Sequence, residues 1–483
     1  MSSISYALRS NYRPVVVQAF TLLLCFGSGA LLDSLQHLGP TIVVLTTVLG
    51  MTLGRTQRHR GLRNRLFALG TLPLVAVACN EVARLFVQHP NVADALFTAA
   101  LGLSIWMRRF GGLTTRLGTL IALPFIALLV TPVPVLPGQS PSTGRSMLWS
   151  AVAALVAYVW VWVVQAVAER SGFVAPPRTS EAPPSEPAKS GQGSRRIPAS
   201  TRMAVQMTLS LALAFVIGRT VFSPHWTWIV LTAFIVNSGN RGRGDVVHKS
   251  LLRIAGAGLG TIVATLVSGL LPPHDNAAIV IILIAIILGS WLRTINYAYW
   301  AACVTSVISL LQGYFGEGHV GLIGERLLQI VIGGALAVGI AWFVLPVKSS
   351  QVLGRRVKAC MGALRDARQA AQDPQTTPAE FAVHHQRFAE HLAQLELVAP
   401  SFIAHRRLHR LRGRDGGHPA DAIDAIRACA EPMAIIAARE SSESDEEITA
   451  ALRSIGRSML VVRDVYGAPA GHPAKTSAQP QKA

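Results

Sequence analysis

The sequence predicts an all-α integral membrane protein, built from two parallel repeats of about six transmembrane helices and a cytoplasmic helical C-terminal domain. Hydrophobic residues form 51% of the 483-residue chain and charged residues only 14%, whereas a soluble domain carries roughly 25% charged residues. Apolar segments recur as far as residue 346, and basic residues gather in every second connection between them. This composition excludes an ordinary cytosolic enzyme.

Twelve apolar segments are candidate membrane helices. A helix needs about 20 apolar residues to cross a bilayer, so the segments near 15 residues require support from flanking residues or neighbouring helices. The predicted spans are 14–32, 39–54, 65–88, 92–107, 113–131, 146–168, 202–221, 226–240, 251–271, 276–292, 297–313 and 325–346.

Motifs of the first half recur in the same order in the second. The pairs are Arg13–Gln18 with Arg202–Gln206, Ile42–Thr47 with Trp228–Ala233, Trp106–Arg108 with Trp291–Arg293, and Arg145 with Arg326. A repeated unit with an even number of crossings gives two copies that point the same way. The predicted domains are a first repeat over 1–168, a disordered cytoplasmic linker over 169–201, a second repeat over 202–347, and a helical domain with a frayed tail over 348–483.

The charges predict the orientation. With the N-terminus in the cytoplasm, the inner connections hold 21 Lys and Arg residues and the outer ones hold 4. Cytoplasmic loops are the ones enriched in these residues, so both termini, the linker and the C-terminal domain are predicted to be cytoplasmic. This placement explains most of the net charge of +19, and no nucleic-acid partner is predicted.

The sequence lacks the motifs of common enzymes. It contains no GxxxxGK[ST] phosphate loop, no HExxH and no GxSxG, and its five cysteines form no CxxC pair. No catalytic residue, cofactor or metal site is therefore predicted. His405 and His409 have the spacing of a metal-binding pair, but the prediction for them is a solvated helix face.

Polar side chains at membrane depth are the candidate substrate pathway, because such groups are costly in lipid unless they face a partner or a cavity. In this prediction Arg253 begins a helix and forms a cationic inner mouth with Arg241, while Trp226 and Trp228 lie at the membrane interface. The alternative is that the arginines anchor the topology, and that glutamines and glycines only join helices. The candidates are Gln18, Gln206, Thr232, Asn237, Arg241, Arg253, Asn296 and Gln329.

Three carboxylates are candidates for proton coupling: Glu81, Asp245 and Glu325. For Glu81 the alternative is a surface ion pair with Arg84, and the same alternative applies to Glu325 with Arg326.

The segment Met203–Val347 resembles the fusaric acid resistance protein-like family. The resemblance rests on Trp228–Val236, on Arg253 followed by Gly256 and Gly260, and on Glu325–Leu327 with Gly333. It implies a bacterial inner-membrane exporter of aromatic and related carboxylic acids, driven by the proton gradient. For some members of the family it also implies a periplasmic adaptor protein.

The predicted function is efflux of small organic, above all aromatic carboxylic, acids. The partners are the lipid bilayer and the organic anion, and a periplasmic adaptor and a homo-oligomer are left open. The alternatives are a passive anion channel and a non-transporting envelope scaffold that acts through its cytoplasmic tail.

Overall fold

The fold is described from a computed structural model that covers residues 12–56, 62–130, 143–174, 197–223, 225–272, 274–314, 322–373, 375–413, 417–438 and 445–467. These residues form α-helices and one short 3-10 helix, with no strand among them. The membrane-type helices are α1 (Tyr12–Gln36), α2 (Pro40–Thr56), α3 (Leu62–Gln88), α4 (Pro90–Trp106), α5 (Gly112–Val130), α6 (Thr143–Arg170), α7 (Ala199–Val221), α8 (Thr227–Asn237), α9 (Arg243–Ser268), α10 (Asn276–Leu292), α11 (Tyr297–Tyr314) and α12 (Leu322–Phe343). The C-terminal helices are α13 (Ser349–Gln372), α14 (Pro378–Glu396), α15 (Ala399–Leu411), α16 (Pro419–Arg427), α17 (Ala430–Ala437) and α18 (Asp445–Gly467).

Each of the twelve predicted apolar segments is a helix, and the fold is all-α across the described residues. Seven of these helices are long and apolar enough to cross a membrane. The most central part of the predicted linker, 175–196, and the end of the chain, 468–483, lie outside the described residues.

Helix α8 is short and almost completely buried. Its 11 residues reach about 16 Å, roughly half the thickness of a bilayer core. Nine of them are buried, and Gly239 turns the chain with a φ of 62° just after the helix ends. Lys249 donates from Nζ to the carbonyl oxygens of Ser238 and Gly239 at 3.3 and 3.2 Å. A cation at this end stabilises the exposed carbonyls of the helix.

The same helix pairs are in contact in the two halves. In the first half, α1 contacts α2 and α6, α2 contacts α6, and α4 contacts α5. In the second half, α7 contacts α8 and α12, α8 contacts α12, and α10 contacts α11. Three further pairs of α-helices, α4 with α7, α5 with α8 and α1 with α10, join one half to the other.

The seam between α4 and α7 is filled by aromatic rings. Phe86, Phe97, Phe215 and Trp226 pack with centroid distances between 5.2 and 6.1 Å. Arg219 lies 4.3 Å from the centroid of the Trp226 ring. Stacking inside this cluster buries Trp226, and Trp228 is buried beside it. The two tryptophans are therefore packed inside the protein, and their position at the membrane interface stays a prediction.

The C-terminal helices form a compact unit of their own, which comprises 241–248 and 347–483, and the remaining residues form the other unit. Its core contains buried aliphatic and aromatic side chains of α13 to α18. Polar residues define where its helices begin: Thr377 and Glu380 form a reciprocal capping box at α14, which satisfies two backbone N–H groups that the helix leaves unpaired.

Candidate functional site: a buried polar cluster in the second half

Gly333 and Gly334 lie at the centre of α12, and helices α8 and α9 pack against them. A Cβ atom on Gly333 would lie 2.6 Å from the carbonyl oxygen of Ile229 and 3.0 Å from Cβ of Thr232, both on α8. A Cβ atom on Gly334 would overlap Oγ of Ser250 on α9. Helices α8 and α9 thus reach α12 at the same depth, close to its midpoint.

Buried polar atoms without hydrogen-bond partners are concentrated in the second half of the membrane-type helices. Of nine such buried side-chain atoms in the described part of the chain, eight belong to residues between 201 and 329. An unsatisfied buried polar group costs about 1–3 kcal/mol, so such groups mark positions where a ligand gains hydrogen bonds. The eight atoms are Oγ1 of Thr201, Thr232 and Thr261, Oε1 of Gln206 and Gln329, Oδ1 of Asn237, and Nε and Nη2 of Arg253.

Arg253 is the largest fully buried side chain, with 1% of its surface exposed. Its Nη1 donates to Oγ1 of Thr305 on α11 at 3.3 Å, whereas Nε and Nη2 have no partner. No carboxylate among the described residues forms an ion pair with it. Removing a charge from water costs several kcal/mol when it is not compensated, and the arginine offers two free donors to an anion.

Three other predicted pathway residues, Gln206, Asn237 and Gln329, are buried in the same half of the molecule. Asn237 donates from Nδ2 to Ser210 at 2.9 Å and thereby joins α8 to α7. Gln206 donates to the carbonyl oxygen of Val344 at 2.8 Å, and Gln329 donates to Oε1 of Glu325 at 3.1 Å. Each of these amides keeps a buried carbonyl oxygen without a partner. Asn237 and Gln206 thus use only part of their hydrogen-bonding capacity to connect different segments, and the bond of Gln329 lies within α12.

Comparison with known proteins identifies this half of the molecule. A sequence model of the family described as "Fusaric acid resistance protein-like" matches residues 209–340, from α7 to α12. Residues 209–340 are thus similar to the fusaric acid resistance protein-like family. This confirms the resemblance carried by Trp228–Val236, Arg253 and Gly333. No curated protein and no solved structure matches the chain.

The family consists of membrane transport proteins, and the chain is a multi-pass membrane protein. In the matched segment, Arg253 lies ten residues inside α9, about 15 Å along the helix axis from its start. The prediction that Arg253 begins the helix is wrong. Helix α9 extends into the polar stretch before the apolar run, where Asp245 lies in the first turn and a carboxylate favours helix formation.

Arg241 belongs to the C-terminal unit, and Arg253 belongs to the other unit. In the C-terminal unit, Arg241 donates from Nη1 to the carbonyl oxygen of Leu397 at 3.2 Å. Asp245, in the same unit, accepts the backbone N–H of Arg241 at 3.1 Å.

Two predicted pathway residues, Gln18 and Asn296, lie apart from the buried polar residues of α7, α8, α9 and α12. Gln18 lines a small cavity with Ile286 and Ser290, at the seam of α1 and α10, and donates to the carbonyl oxygen of Met51 at 2.9 Å. Asn296 is exposed, and its Oδ1 accepts the backbone N–H of Ala298 at 2.9 Å. Asparagine in this position caps a helix, so its assignment to the interior of a span is wrong.

The carboxylates have different partners. Glu81 accepts from Nη1 of Arg84 through both oxygens at 3.2 and 3.1 Å, which is the predicted alternative of an ion pair. Glu325 does not pair with Arg326, because adjacent side chains on a helix point in different directions. Its Oε1 lies 3.6 Å from Nδ1 of His225 and accepts from Gln329.

Arg326, which was not among the predicted pathway residues, is a second buried cation of the matched segment. It donates from Nη1 to Ser309 and from Nη2 to Gln312, and its guanidinium lies 4.8 Å from the centroid of the Trp228 ring. No carboxylate in the described ranges forms an ion pair with it. Its burial between α8, α11 and α12 was invisible from the sequence, where it resembled one of the few outer-loop arginines.

The predicted alternative for the glycines of α9 is partly confirmed. Cβ atoms on Gly256 and Gly260 would overlap the backbone of α11 at Ala298 and Ala302, whereas Gly258 has no atom within 4 Å of such a position. Gly256 and Gly260 therefore allow the close packing of α9 on α11 that brings Arg253 to Thr305.

Among the residues that the structure describes, no group of three or more His, Cys, Asp or Glu side chains is arranged so that it could hold a metal ion. His405 and His409 of the C-terminal unit pack against His418, with ring centroids 5.2 and 5.8 Å away from it. The rings of His405 and His418 are joined by a hydrogen bond of 2.9 Å. The two predicted surface histidines thus form a small cluster with a third.

Proposed function

We propose that the protein exports small organic anions, above all aromatic carboxylates, across the bacterial inner membrane and is driven by the proton gradient. The observation that carries the proposal is Arg253, a buried cation with two free donors and no carboxylate partner. A carboxylate supplies the missing charge and accepts both N–H groups in a bidentate pair. The cost of the buried charge is then offset only while an anion is bound.

Two other arginines in the membrane-type helices, Arg84 and Arg219, have counter-ions, and this contrast supports the assignment. Arg84 pairs with Glu81, and Arg219 forms a bidentate pair with Asp94 at 2.8 and 3.0 Å. Those guanidiniums are neutralised by the protein itself. Arg253 and Arg326 are not, so the buried charge of this region is positive and attracts anions.

The matching helix pairs support two parallel repeats, in which substrate sites lie near the midplane at the ends of short helices. Helix α8 is such a short helix, and Thr232 with its free hydroxyl oxygen is on it. In this proposal both termini, the linker and the C-terminal domain are cytoplasmic. A periplasmic adaptor would bind at the opposite side of the membrane.

For proton coupling, Glu325 is the carboxylate that the contacts favour. It is half-buried, it lies beside His225, and it bonds to Gln329 of the polar cluster. Protonation of this carboxylate would change the hydrogen bonding of the cluster directly. Glu81 is tied to Arg84 instead, and Asp245 is tied to the backbone at Arg241.

Uptake into everted membrane vesicles tests the proposal. A panel of radiolabelled aromatic acids is supplied with a proton gradient and again after an uncoupler, and vesicles containing Arg253→Gln provide the background of passive permeation. Gradient-dependent uptake above that background supports a coupled exporter. Uptake that follows only the gradient of the anion indicates a channel.

A truncated chain that ends at Pro346 separates transport from scaffolding. We expect the truncated protein to retain uptake in proportion to its amount in the membrane, because Arg253 and its surroundings lie before residue 347. Absence of uptake by the full chain, together with an envelope phenotype that disappears on truncation, would indicate a scaffold instead.

A further inference from the structure

Helix α11 has a polar stripe within an otherwise apolar segment. Thr305, Ser309 and Gln312 are spaced by four and three residues, so their side chains lie on one face of the helix. Thr305 and Ser309 are buried, and the stripe from Thr305 to Gln312 extends about 10 Å along the helix axis.

One buried arginine lies at each end of this stripe. Arg253 donates to Thr305 at one end, and Arg326 donates to Ser309 and Gln312 at the other. The two guanidiniums come from different helices, α9 and α12, and only 1% and 9% of their surfaces are exposed. The neutral oxygens that they contact leave both positive charges uncompensated.

Helix α5, the counterpart of α11 in the first half, has no equivalent stripe over its described residues Gly112–Val130. Helices α5 and α11 begin at Gly112 and Tyr297, which is the same offset as that between Trp106 and Trp291 of the repeated motif, and this offset sets the register between the two helices. In that register, the three polar residues of α11 match three buried apolar residues of α5: Leu120, Pro124 and Ala127. The polar stripe is therefore a feature of one half and not a general requirement of the fold.

We propose that the stripe is the track along which a carboxylate passes between Arg253 and Arg326, and that each chain contains one such track. This inference rests on the proposed function, since it specifies the path of the exported anion. We call the two guanidiniums the stations of the track. At each station the guanidinium gives up its hydrogen bond to a hydroxyl or amide oxygen and bonds to the carboxylate instead, because hydrogen bonds between two charged groups are stronger than those to a neutral oxygen. Between the stations, the hydroxyl of Ser309 donates to the moving carboxylate.

Trp228 contributes to the station at Arg326. A guanidinium stacked on a ring is held by its flat face and keeps its N–H edge for hydrogen bonds. The N–H groups of Arg326 donate to Ser309 and Gln312, while its guanidinium carbon lies 4.8 Å from the centroid of the Trp228 ring. Trp228 is thus a positioning residue that holds the cation when the anion leaves.

The competing explanation is that the stripe only joins α11 to its neighbours, because hydroxyl and amide groups commonly bridge membrane helices. The two explanations differ in accessibility. A track must admit water and anions during the transport cycle, whereas a bridge between helices stays dry.

Thiol labelling in membrane vesicles distinguishes them. In a background in which all five native cysteines are replaced, Thr305→Cys and Gln312→Cys test the stripe, and Leu120→Cys and Ala127→Cys are the matched controls on α5. Each vesicle sample is treated with an anionic and with a cationic methanethiosulfonate reagent. We expect the stripe thiols to react at least tenfold faster with the anionic reagent, and the α5 thiols to react with neither.

Neutralising the stations should remove the preference. Arg326→Gln in the Gln312→Cys background is expected to bring the two reagent rates within about twofold, because the field of a nearby uncompensated charge is lost. Variants are compared only when they elute from size exclusion as the parent does, and Ser309→Cys replaces any stripe variant that does not. Unreactive stripe thiols, or equal reactivity on α5 and α11, would overturn the track.

The labelling does not depend on which acid is exported, so the two proposals fail separately. Anion-selective labelling without uptake of any aromatic acid supports the track and rejects the proposed substrate class. Uptake of an aromatic acid with unreactive stripe thiols supports the proposed function and rejects the track.

Discussion

Replacing Arg253 with methionine should stabilise the protein while it stops transport. Methionine is apolar and of similar length, so the change removes an uncompensated charge and leaves little empty volume. The loss is one hydrogen bond, from Nη1 to Thr305, worth about 1.5–3 kcal/mol for a charged donor. The gain is relief of a desolvation cost of several kcal/mol. The net effect is a stabilisation of about 1–3 kcal/mol, or a few degrees in Tm.

Transport should change in the opposite direction. Removing one partner of a buried charge pair costs about 2–5 kcal/mol of binding, and 2 kcal/mol corresponds to roughly 30-fold in affinity. We therefore expect gradient-driven uptake to fall at least 30-fold at low substrate concentration. Thermal unfolding in detergent, followed by size exclusion, and vesicle uptake are measured on the same preparations.

Arg219→Met is the matched control, because the same substitution is made where the protein supplies the counter-ion. It leaves Asp94 unpaired, with 14% of its side chain exposed, and removes the contact of the guanidinium with Trp226. Its Tm should fall. The reasoning is refuted if Arg253→Met lowers the Tm as Arg219→Met does, or if its uptake per molecule is unchanged.

Three further changes have defined outcomes. Glu325→Gln, next to His225, should abolish uptake driven by the proton gradient and leave exchange of anion for anion in place, since only the titrating group is lost. Gly256→Val should lower the Tm because its side chain meets the backbone of α11, whereas Gly258→Ala, with open space around it, should gain about 0.5–1 kcal/mol of helix stability. Burial lowers the pKa of His418 from 6.5, and neighbouring histidine and arginine charges lower it further. A base with a lowered pKa in the folded state binds more protons when unfolded, so the start of α16 should lose stability as pH falls below 6.5. Hydrogen exchange of α16 measures this loss, and His418→Asn should remove it because asparagine also caps a helix but does not titrate.

Contrary results are equally specific. Loss of both coupled uptake and exchange in Glu325→Gln would assign this residue to anion binding and not to coupling. A Tm in Gly256→Val equal to that of Gly258→Ala would show that α9 and α11 do not need their close contact. If the protection of the α16 amides against hydrogen exchange does not change with pH, His418 is not the titrating group.

The helices could be predicted because their apolar runs are nearly as long as the helices themselves. Helix α9 is the exception, since its first two turns are polar and the apolar run begins only near residue 251. The short length of α8 was visible as a short segment, but its burial was not. Trp226 has the preference of an interfacial residue, and its packing against Phe86 and Phe215 could not be read from the sequence.

The site could be predicted only in part, for a similar reason. Arg253 stands out as a charge next to a long apolar run, and its position in the family pattern adds to this. The partner Thr305 is 52 residues away, and only the packing of α9 on α11 brings the two together. The spacing of Thr305, Ser309 and Gln312 was legible, but hydroxyl residues in helices commonly bond to their own backbone, so the pattern alone did not indicate a pathway.

Two of the seams between the halves resist separation to different degrees. Along α4 and α7, parting the halves would separate the rings of Phe86 and Phe97 from those of Phe215 and Trp226 and would break a bidentate ion pair, whereas α1 and α10 line a small cavity with mostly apolar side chains. The stronger contacts should stay closed while the weaker ones open. We therefore expect the aromatic seam to act as the hinge and the α1–α10 seam to open during each transport cycle. Ala19 and Ile286 line the same cavity, and a disulfide between cysteines at these two positions should stop transport until it is reduced. Full transport with the disulfide formed would show that the hinge lies elsewhere.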